Sequence, residues 1–313
     1  MTEEGFSRDG GAARRAWAAV RSYPELAKVR LASLVVVTAA VGYLMAGGGR
    51  GATLAATLVG TALAACGSMA LNQVIEAERD ARMERTCRRP IPTGAVTPRH
   101  AVVFGVTAAA AGLATLAALV NVLTAVLGLT VVLVYILVYT PLKPRSPLCT
   151  LAGAVCGAIP PMMGWTATGA ALSFGAWLLA GVLFLWQIPH FLALAWLYRD
   201  DYARGGFRTL PAVDASGRVT GAMAVLYSLA LLPVGVLAAL GGLTGWRFAA
   251  AGLALGGGLV ALASLLAVRR TEPLARRLFL ATLAYLPLLL GAMVADRIQP
   301  AAVVAVAVLA GGR

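Results

Sequence analysis

Long apolar stretches dominate the chain and are separated by short polar segments. Nine of them approach the roughly 20 apolar residues that a helix needs to cross the hydrocarbon core of a bilayer. Each is continuously apolar rather than alternating, which favours helices over the strands of a membrane barrel. The nine predicted spans are residues 31–47, 53–75, 101–120, 122–140, 149–168, 174–196, 219–242, 247–267 and 278–294.

Composition supports the same class. Hydrophobic residues make up 60% of the 313, charged residues 12%, and the mean hydropathy is +0.82. A soluble domain carries roughly 25% charged residues. The sequence therefore predicts an all-α, polytopic membrane protein that lies in a lipid bilayer. We expect an N-terminal arm at 1–30, a nine-helix membrane domain at 31–296 and a short tail at 297–313.

The formal charge of +13 suggests a nucleic-acid partner only until its distribution is considered. The N-terminal arm and every second loop carry six, six, two, four and four Lys or Arg, which is 22 of the 26. This asymmetry is typical of the positive-inside rule. It predicts a bacterial-type cytoplasmic membrane, a cytoplasmic N-terminus, an external C-terminus and no nucleic acid.

The first candidate site follows the second predicted span. Asn72, Glu76 and Asp80 stand four residues apart, a spacing that places them on one face of a helix. Their oxygens suit Mg²⁺, which commonly bridges to substrate phosphates. Arg85 and Arg89 follow and could bind diphosphate oxygens. The alternative is a solvated helix end with ion pairs along the helix.

The second candidate site follows the sixth span. Asp200 and Asp201 end this apolar stretch beside Arg199. Within the span lies His190, one of two histidines in the chain, directly after Pro189. Polar groups inside a membrane are usually functional, so His190 is a candidate heme ligand or proton carrier. A buried histidine that bonds a neighbouring helix is the alternative.

The third candidate site follows the fourth span and contains Tyr139, Lys143 and Arg145. A lysine there can neutralise a leaving diphosphate as a point charge, although it also enforces topology. In the next span, the pair Pro160 and Pro161 is expected to break the helix. Two acidic clusters and a basic loop on one membrane face suit the ionisation of an allylic diphosphate.

These segments resemble the protoheme IX farnesyltransferases (heme O synthases) of the UbiA-type intramembrane prenyltransferase superfamily. The matching stretches lie within residues 23–213, about two thirds of the chain. They are YPELAKVRLASLVVVTAAVGYLMA, LNQVIEAERDARMERTCRRPIPTG, YTPLKPRSPL, GAIPPMMGW, FLWQIPHFLALAWLYRDDYARGGF and TLPAV. The combination of MERT–RPIP, GAIPP–GW and WQIPHF is specific for this family, whereas the last three spans match only in hydropathy.

The resemblance implies a UbiA-like bundle of nine helices with a cytoplasm-facing active-site cavity. It implies transfer of the farnesyl group of farnesyl diphosphate to a vinyl group of heme B, which yields the hydroxyethylfarnesyl group of heme O and releases diphosphate. Mg²⁺ is the implied cofactor, and heme B is a substrate. Heme A synthase and the assembly machinery of a terminal oxidase are candidate partners.

The resemblance also distributes roles over the candidate residues. Asn72, Glu76 and Asp80 match the first acidic motif, Asp201 matches the second, and Lys143 completes the expected catalytic set. The expected metal site adds Asp200; the expected diphosphate site comprises Arg85, Arg89, Lys143, Arg145 and Arg199; and the expected heme site comprises His190, Trp186 and Tyr139. Glu76 stands where the superfamily usually has Asp, Pro144 replaces a basic residue, and Cys149 replaces Asn. The last two departures affect details of the third loop.

Two other activities fit parts of this pattern. A prenyltransferase that acts on quinones or chlorophyll would carry the same acidic motifs, and WQIPHF and GAIPP–GW favour heme over it. A transporter would also carry broken helices and intramembrane charges, but those would lie near the bilayer midplane. Here nearly every charge lies at the predicted cytoplasmic edge. A structural assembly factor would need no paired carboxylate clusters.

Overall fold

The computed structural model describes residues 22–49 and 51–298, and these form an all-helical bundle. Within those ranges the one β-type contact is an isolated bridge between Thr244 and Arg297. The helices are α1 (Val29–Met45), α2 (Gly51–Asp80), α3 (Pro98–Leu119), α4 (Val122–Leu133), α5 (Thr140–Leu142), α6 (Cys149–Thr166), α7 (Phe174–Leu197), α8 (Arg199–Arg204), α9 (Leu210–Val213), α10 (Arg218–Leu240), α11 (Trp246–Arg269) and α12 (Glu272–Ala295). A π-helix, Val134–Tyr139, joins α4 to α5. The predicted all-α membrane class is confirmed.

Every predicted span coincides with a helix, but the helices differ in length. In the described part of the chain, seven helical segments are long and apolar enough to cross a membrane. They are α2, α3, the segment Val122–Leu142, α7, α10, α11 and α12. The other two apolar helices, α1 and α6, have 17 and 18 residues and are not among the seven. A total of nine crossings therefore stays a prediction.

Small residues allow the helices to pack closely, as membrane interfaces require. Where α2 meets α3, a Cβ on Gly67 would lie 2.5 Å from the Gly105 carbonyl oxygen. Where α1 meets α6, a Cβ on Gly42 would overlap the carbonyl oxygen of Pro161, and one on Gly164 would overlap that of Ala39. These contacts fix α1 against α6 and α2 against α3 and thereby position the polar end of α2.

The expectation that Pro160 and Pro161 break their helix is wrong. Both lie within α6, which continues from Cys149 to Thr166. A proline removes one backbone donor and leaves the carbonyl one turn earlier without its bond. The region is closely packed, because a Cβ on Gly157 would overlap the amide of Gln187, and the same amide donates to the Ala154 carbonyl. Such packing keeps the backbone helical despite the two missing donors.

The largest core cluster lies in the second half of the bundle, around α7. In the most apolar window of α7, 61% of the residues are buried, more than in the other membrane-spanning candidates. Leu179 on α7, Leu231 on α10, Phe248 on α11 and Met293 on α12 are almost fully buried there. A central α7 fixes the position of His190 and of the acidic residues that follow the helix.

The predicted N-terminal arm reaches the bundle before residue 30. Leu26 is fully buried, and Gln73 on α2 donates to the carbonyls of Glu25 and Leu26 at 3.0 and 2.9 Å. Tyr23 packs edge-on against Phe104 with ring centroids 5.1 Å apart. The rest of the predicted arm (residues 1–21), most of the predicted tail and the apolar segment 300–310 lie outside the described residues.

Candidate active site

Three polar side chains of α2 are buried at the end of that helix. Asn72, Glu76 and Asp80 are 0%, 3% and 1% exposed. Their spacing of four places them on one face, as predicted, and that face points into the protein. Buried carboxylates require compensating charges, because unpaired ones are costly. The alternative of a solvated helix end therefore does not describe this helix.

Two lysines supply part of the compensation. Lys143 Nζ donates to Glu76 Oε2 at 3.2 Å and lies 2.8 Å from Oε1. Lys28 Nζ donates to Asn72 Oδ1 at 3.0 Å. These are the only two lysines among the 26 basic residues of the chain. A compact ammonium at both positions, rather than a guanidinium, suits point-charge contact with phosphate oxygens.

Lys28 is the site residue that sequence reasoning missed, because it was assigned only to topology. It precedes α1 with φ 46°, in the left-handed region that residues other than glycine rarely adopt. Burial, together with the charges of Arg89 and Lys143, lowers the pKa of Lys28 to about 7. The scarcity of lysine in an arginine-rich chain was the signal that could have identified it.

Arg89 balances the negative charge of Asp80, the third polar residue on this face of α2. Its Nη1 lies 2.6 Å from Asp80 Oδ2. Lys28, Lys143 and Arg89 thus face the two carboxylates of Glu76 and Asp80, so the cluster carries one net positive charge when Lys28 is protonated. In that state the cluster can accept an additional anion.

A π-helical turn completes the buried cluster. Asn72 Nδ2 donates to Thr140 Oγ1 at 3.0 Å, and that hydroxyl donates to the Tyr135 carbonyl at 2.8 Å. The π-turn stacks Tyr135 on Tyr139 with centroids 5.1 Å apart, and Lys143 Nζ lies 4.7 Å from the Tyr139 ring centre. Such π-turns are frequent at functional sites. Tyr139 therefore lies beside Lys143.

The second acidic cluster is arranged differently. Asp201 is buried, and its two carboxylate oxygens accept the backbone N–H groups of Glu84 and Arg85 at 2.8 and 3.2 Å. Arg204 Nη2 also donates to Asp201 Oδ1 at 2.9 Å. Burial raises the pKa of Asp201, but the bonds from Arg204, Glu84 and Arg85 outweigh it and hold the pKa below its usual value. Asp201 thus anchors the loop that follows α2.

The remaining predicted diphosphate and metal residues are more exposed. The Asp200 side chain is 89% exposed and lies 3.7 Å from Arg199. Arg85 donates to the Tyr202 hydroxyl at 3.0 Å and stacks over Tyr198, and Arg145 is exposed. An open depression of about 490 Å³ is lined by Arg85, Tyr198, Asp200 and Asp201, among others. The structure gathers Arg89 and Lys143 in the buried cluster and leaves Arg85, Arg145, Arg199 and Asp200 around its rim or on the surface.

His190 lies on α7, about two helical turns before the end of that helix at Leu197. Its Nδ1 is 2.9 Å from Thr282 Oγ1 on α12. Its ring stacks on Trp186 and on Phe279, both with centroids 5.0 Å away. Trp186 Nε1 donates to the Thr282 carbonyl at 2.8 Å. The predicted heme residues Trp186 and His190 are therefore neighbours.

The buried cluster suits a hard divalent cation held together with phosphate oxygens. Asp80 Oδ1 is buried and accepts no hydrogen bond from the described residues, and Glu76 Oε1 has Lys143 Nζ as its near neighbour at 2.8 Å. No group of three His, Cys, Asp or Glu side chains converges there or elsewhere in residues 22–49 and 51–298. Mg²⁺ at substrate phosphates typically takes one or two carboxylates and completes its shell with phosphate and water oxygens. The unbonded oxygen of Asp80, with the Glu76 carboxylate one turn away on the same face, fits that arrangement.

The chain matches a known protein family over most of its length. Residues 35–286 match the UbiA prenyltransferase family. A protoheme IX farnesyltransferase from Koribacter versatilis is 40% identical over 290 residues, which cover 89% of this chain and 94% of that protein.

Solved structures show the same fold at low identity. The apo structure of a UbiA homolog from Aeropyrum pernix K1 matches with a TM-score of 0.68 at 20% identity and covers 85% of this chain and 97% of its own. A UbiA homolog from Archaeoglobus fulgidus bound to GPP and Mg²⁺ matches with a TM-score of 0.57 at 13% identity. The match covers 87% of this chain and 99% of that homolog. The chain belongs to the UbiA prenyltransferase family, and over most of its length it is similar to the protoheme IX farnesyltransferases within it.

Proposed function

We propose that this prenyltransferase transfers the farnesyl group of farnesyl diphosphate to a vinyl group of heme B and so forms heme O. The observation that carries the proposal is the buried cluster of Asn72, Glu76 and Asp80 with Lys28, Lys143 and Arg89. It joins two buried carboxylates, one of which keeps an unpaired oxygen on Asp80, to the cations that an ionising diphosphate requires. The Koribacter versatilis relative carries this activity in its name.

The buried cations act on the leaving group. The bond between C1 of the farnesyl chain and the diphosphate oxygen breaks, and its electron pair leaves with diphosphate. Lys28, Lys143 and Arg89 are fixed by their hydrogen bonds, so they meet the developing negative charge with little reorganisation. We propose that Arg85, Arg145 and Arg199 contact the diphosphate from the rim.

Mg²⁺ is the proposed cofactor, and Asn72, Glu76 and Asp80 would hold it. Bound to the diphosphate, Mg²⁺ would supply charge neutralisation for the leaving group. The structure of the Archaeoglobus fulgidus homolog contains GPP and Mg²⁺. Asp200 and Asp201 are proposed to hold a further cation; for Asp201 this requires that the substrate complex release part of its bonding to the loop after α2.

The acceptor reacts in the apolar part of the bundle. The heme vinyl group supplies an electron pair to C1 of the farnesyl cation, and water adds to the remaining vinyl carbon and loses one proton. This yields the hydroxyethylfarnesyl group. His190 and Trp186 lie toward the membrane interior from the acidic end of α7 and are proposed to bind heme, with Tyr139 at the boundary between the two substrates. The apolar walls exclude water from the cation until the carbon–carbon bond forms.

The experiment that tests this activity is expression of the chain with a supply of farnesyl diphosphate, followed by mass spectrometry of the extracted heme. Heme O is the expected product. Unmodified heme B together with a prenylated quinone would show that the acceptor is a quinone instead. A His190→Ala variant is expected to weaken heme binding, measured by absorbance titration, more than farnesyl diphosphate binding.

The distribution of basic residues also predicts how the chain lies in the membrane. We propose nine crossings in a bacterial-type inner membrane, with the acidic ends of α2 and α7 in the cytoplasm. The arm at 1–30, the membrane domain at 31–296 and the tail at 297–313 are the proposed divisions. Reporter fusions in the loops after α2 and α7 are expected to report the cytoplasm, and a periplasmic signal there would overturn the orientation. Heme A synthase or a terminal-oxidase assembly factor is the proposed partner.

A further inference from the structure

The hydroxyl of Thr282 determines which nitrogen of His190 carries the proton. A threonine hydroxyl has one proton to donate. That of Thr282 donates to the Phe279 carbonyl at 2.6 Å, within its own helix. With its proton placed in that bond, the hydroxyl accepts at its 2.9 Å contact with His190 Nδ1. In this arrangement of hydrogen bonds, Nδ1 carries the proton and the lone pair of the neutral ring lies on Nε2.

The orientation of the imidazole ring is fixed as well as its tautomer. Trp186 and Phe279 stack on the ring with interplanar angles of 20° and 27°. Trp186 is itself held by its bond to the Thr282 carbonyl, so one residue of α12 anchors both rings of α7. Thr282 is fully buried, whereas His190 is only partly buried. Among the described residues, none forms a hydrogen bond with Nε2.

We infer that Thr282 is the positioning residue that presents His190 Nε2 as an axial ligand to the iron of the heme substrate. A ligating histidine commonly donates its other ring N–H to an oxygen acceptor, which fixes the tautomer and raises the basicity of the ligating nitrogen. Here the acceptor is a hydroxyl on a different helix. Heme binding thus depends on the contact between α7 and α12. This inference rests on the proposed function, because it takes heme as the acceptor.

The test is an absorbance titration of the purified full-length chain with heme B. Thr282→Val keeps the shape of the side chain and removes the hydroxyl, and we expect heme affinity to fall roughly 10- to 100-fold with loss of the histidine-ligated spectrum. Thr282→Ser keeps a hydroxyl and is expected to retain both properties. Farnesyl diphosphate affinity is expected to stay unchanged in both variants.

Thr57→Val is the matched control. Thr57 is also fully buried, and its hydroxyl donates to the Thr53 carbonyl of its own helix. A Thr282→Val spectrum and affinity equal to those of Thr57→Val would overturn the inference.

A double variant separates positioning from packing. If Thr282 acts through His190, Thr282→Val adds no further loss of heme affinity in a His190→Ala background. An undiminished loss in that background would overturn the inference. Failure of the proposed function is distinguishable, because it appears as the absence of heme O in the wild-type chain. Heme O formation without any Thr282 dependence overturns only the role of Thr282.

Discussion

Carboxylates lie at the end of α2 and in α8, the short helix that follows α7, yet the two clusters differ in what surrounds them. At the end of α2, Glu76 and Asp80 are buried against Lys143 and Arg89, and Asp80 keeps one carboxylate oxygen without a hydrogen bond from the described residues. In α8, after the end of α7, both oxygens of Asp201 accept backbone N–H groups of the loop after α2, and Asp200 faces solvent. Similar sequence patterns thus yield a buried, ion-paired end at α2 and a scaffolding end after α7.

Because the two clusters differ in burial, the loss of an ion pair is expected to destabilise them by different amounts. Removing one partner of a buried ion pair leaves an uncompensated charge, which costs about 3–5 kcal/mol. Exposed ion pairs such as Arg199 with Asp200 contribute about 0–1 kcal/mol. Substitutions at the α2 end are therefore expected to affect chemistry most strongly.

The largest effect is expected for Asp80→Asn. This change removes the charge that pairs with Arg89 and weakens the oxygen set proposed for Mg²⁺. We expect turnover to fall roughly 10²- to 10³-fold or more, in the range seen when one preorganised electrostatic group is lost from an active site. The measurement is heme O formation at saturating Mg²⁺. Glu78→Gln, on the exposed face of the same helix, is the control and is expected to retain activity.

Asp201→Asn tests the scaffolding end. Charge-assisted hydrogen bonds contribute about 1.5–3 kcal/mol, so amide exchange at Glu84 and Arg85 is expected to accelerate about 10- to 100-fold. Because the pKa of Asp201 is lowered, the wild-type chain should keep this protection through the ordinary aspartate range and lose it only at lower pH. Hydrogen–deuterium exchange of the peptide that contains both residues is the measurement. Wild-type exchange in the variant would contradict the anchoring role.

Lys28→Gln tests whether the α2 end includes a residue from outside that helix. Loss of one buried ammonium is expected to weaken farnesyl diphosphate binding about tenfold, equivalent to about 1.4 kcal/mol. Arg30→Gln changes a nearby exposed cation and serves as the control. Equal affinities for the two variants, measured by equilibrium binding, would remove Lys28 from the site.

The smallest effect is expected for Asp200→Asn. Its carboxylate is exposed, and surface substitutions away from specific contacts usually change stability by less than about 0.5 kcal/mol. We expect unchanged loop exchange and a fall in turnover far smaller than that of Asp80→Asn, because an exposed carboxylate adds little to a cation site that it shares with Asp201. A loss comparable to that of Asp80→Asn would remove the contrast between the two clusters.

The one-face arrangement of Asn72, Glu76 and Asp80 was predictable because helical periodicity is local. The partners were not predictable in the same way. Arg89 is separated from Asp80 by the loop that Asp201 holds, and Lys28 reaches Asn72 from a turn that precedes α1. The π-turn at Val134–Tyr139 also escaped prediction, since its sequence is an ordinary apolar run.

The amino-acid sequence by itself determined the helices and the chemical class of the site, because hydrocarbon demands long apolar helices and the period of 3.6 residues sets their faces. Tertiary structure decided that Lys28 belongs to the site, that Pro160 and Pro161 stay helical, and that Thr282 bonds His190. Those three outcomes depend on contacts between helices that are distant in sequence. An apolar helix carries little information about which of its neighbours it will meet, since lipid and protein surroundings are both apolar.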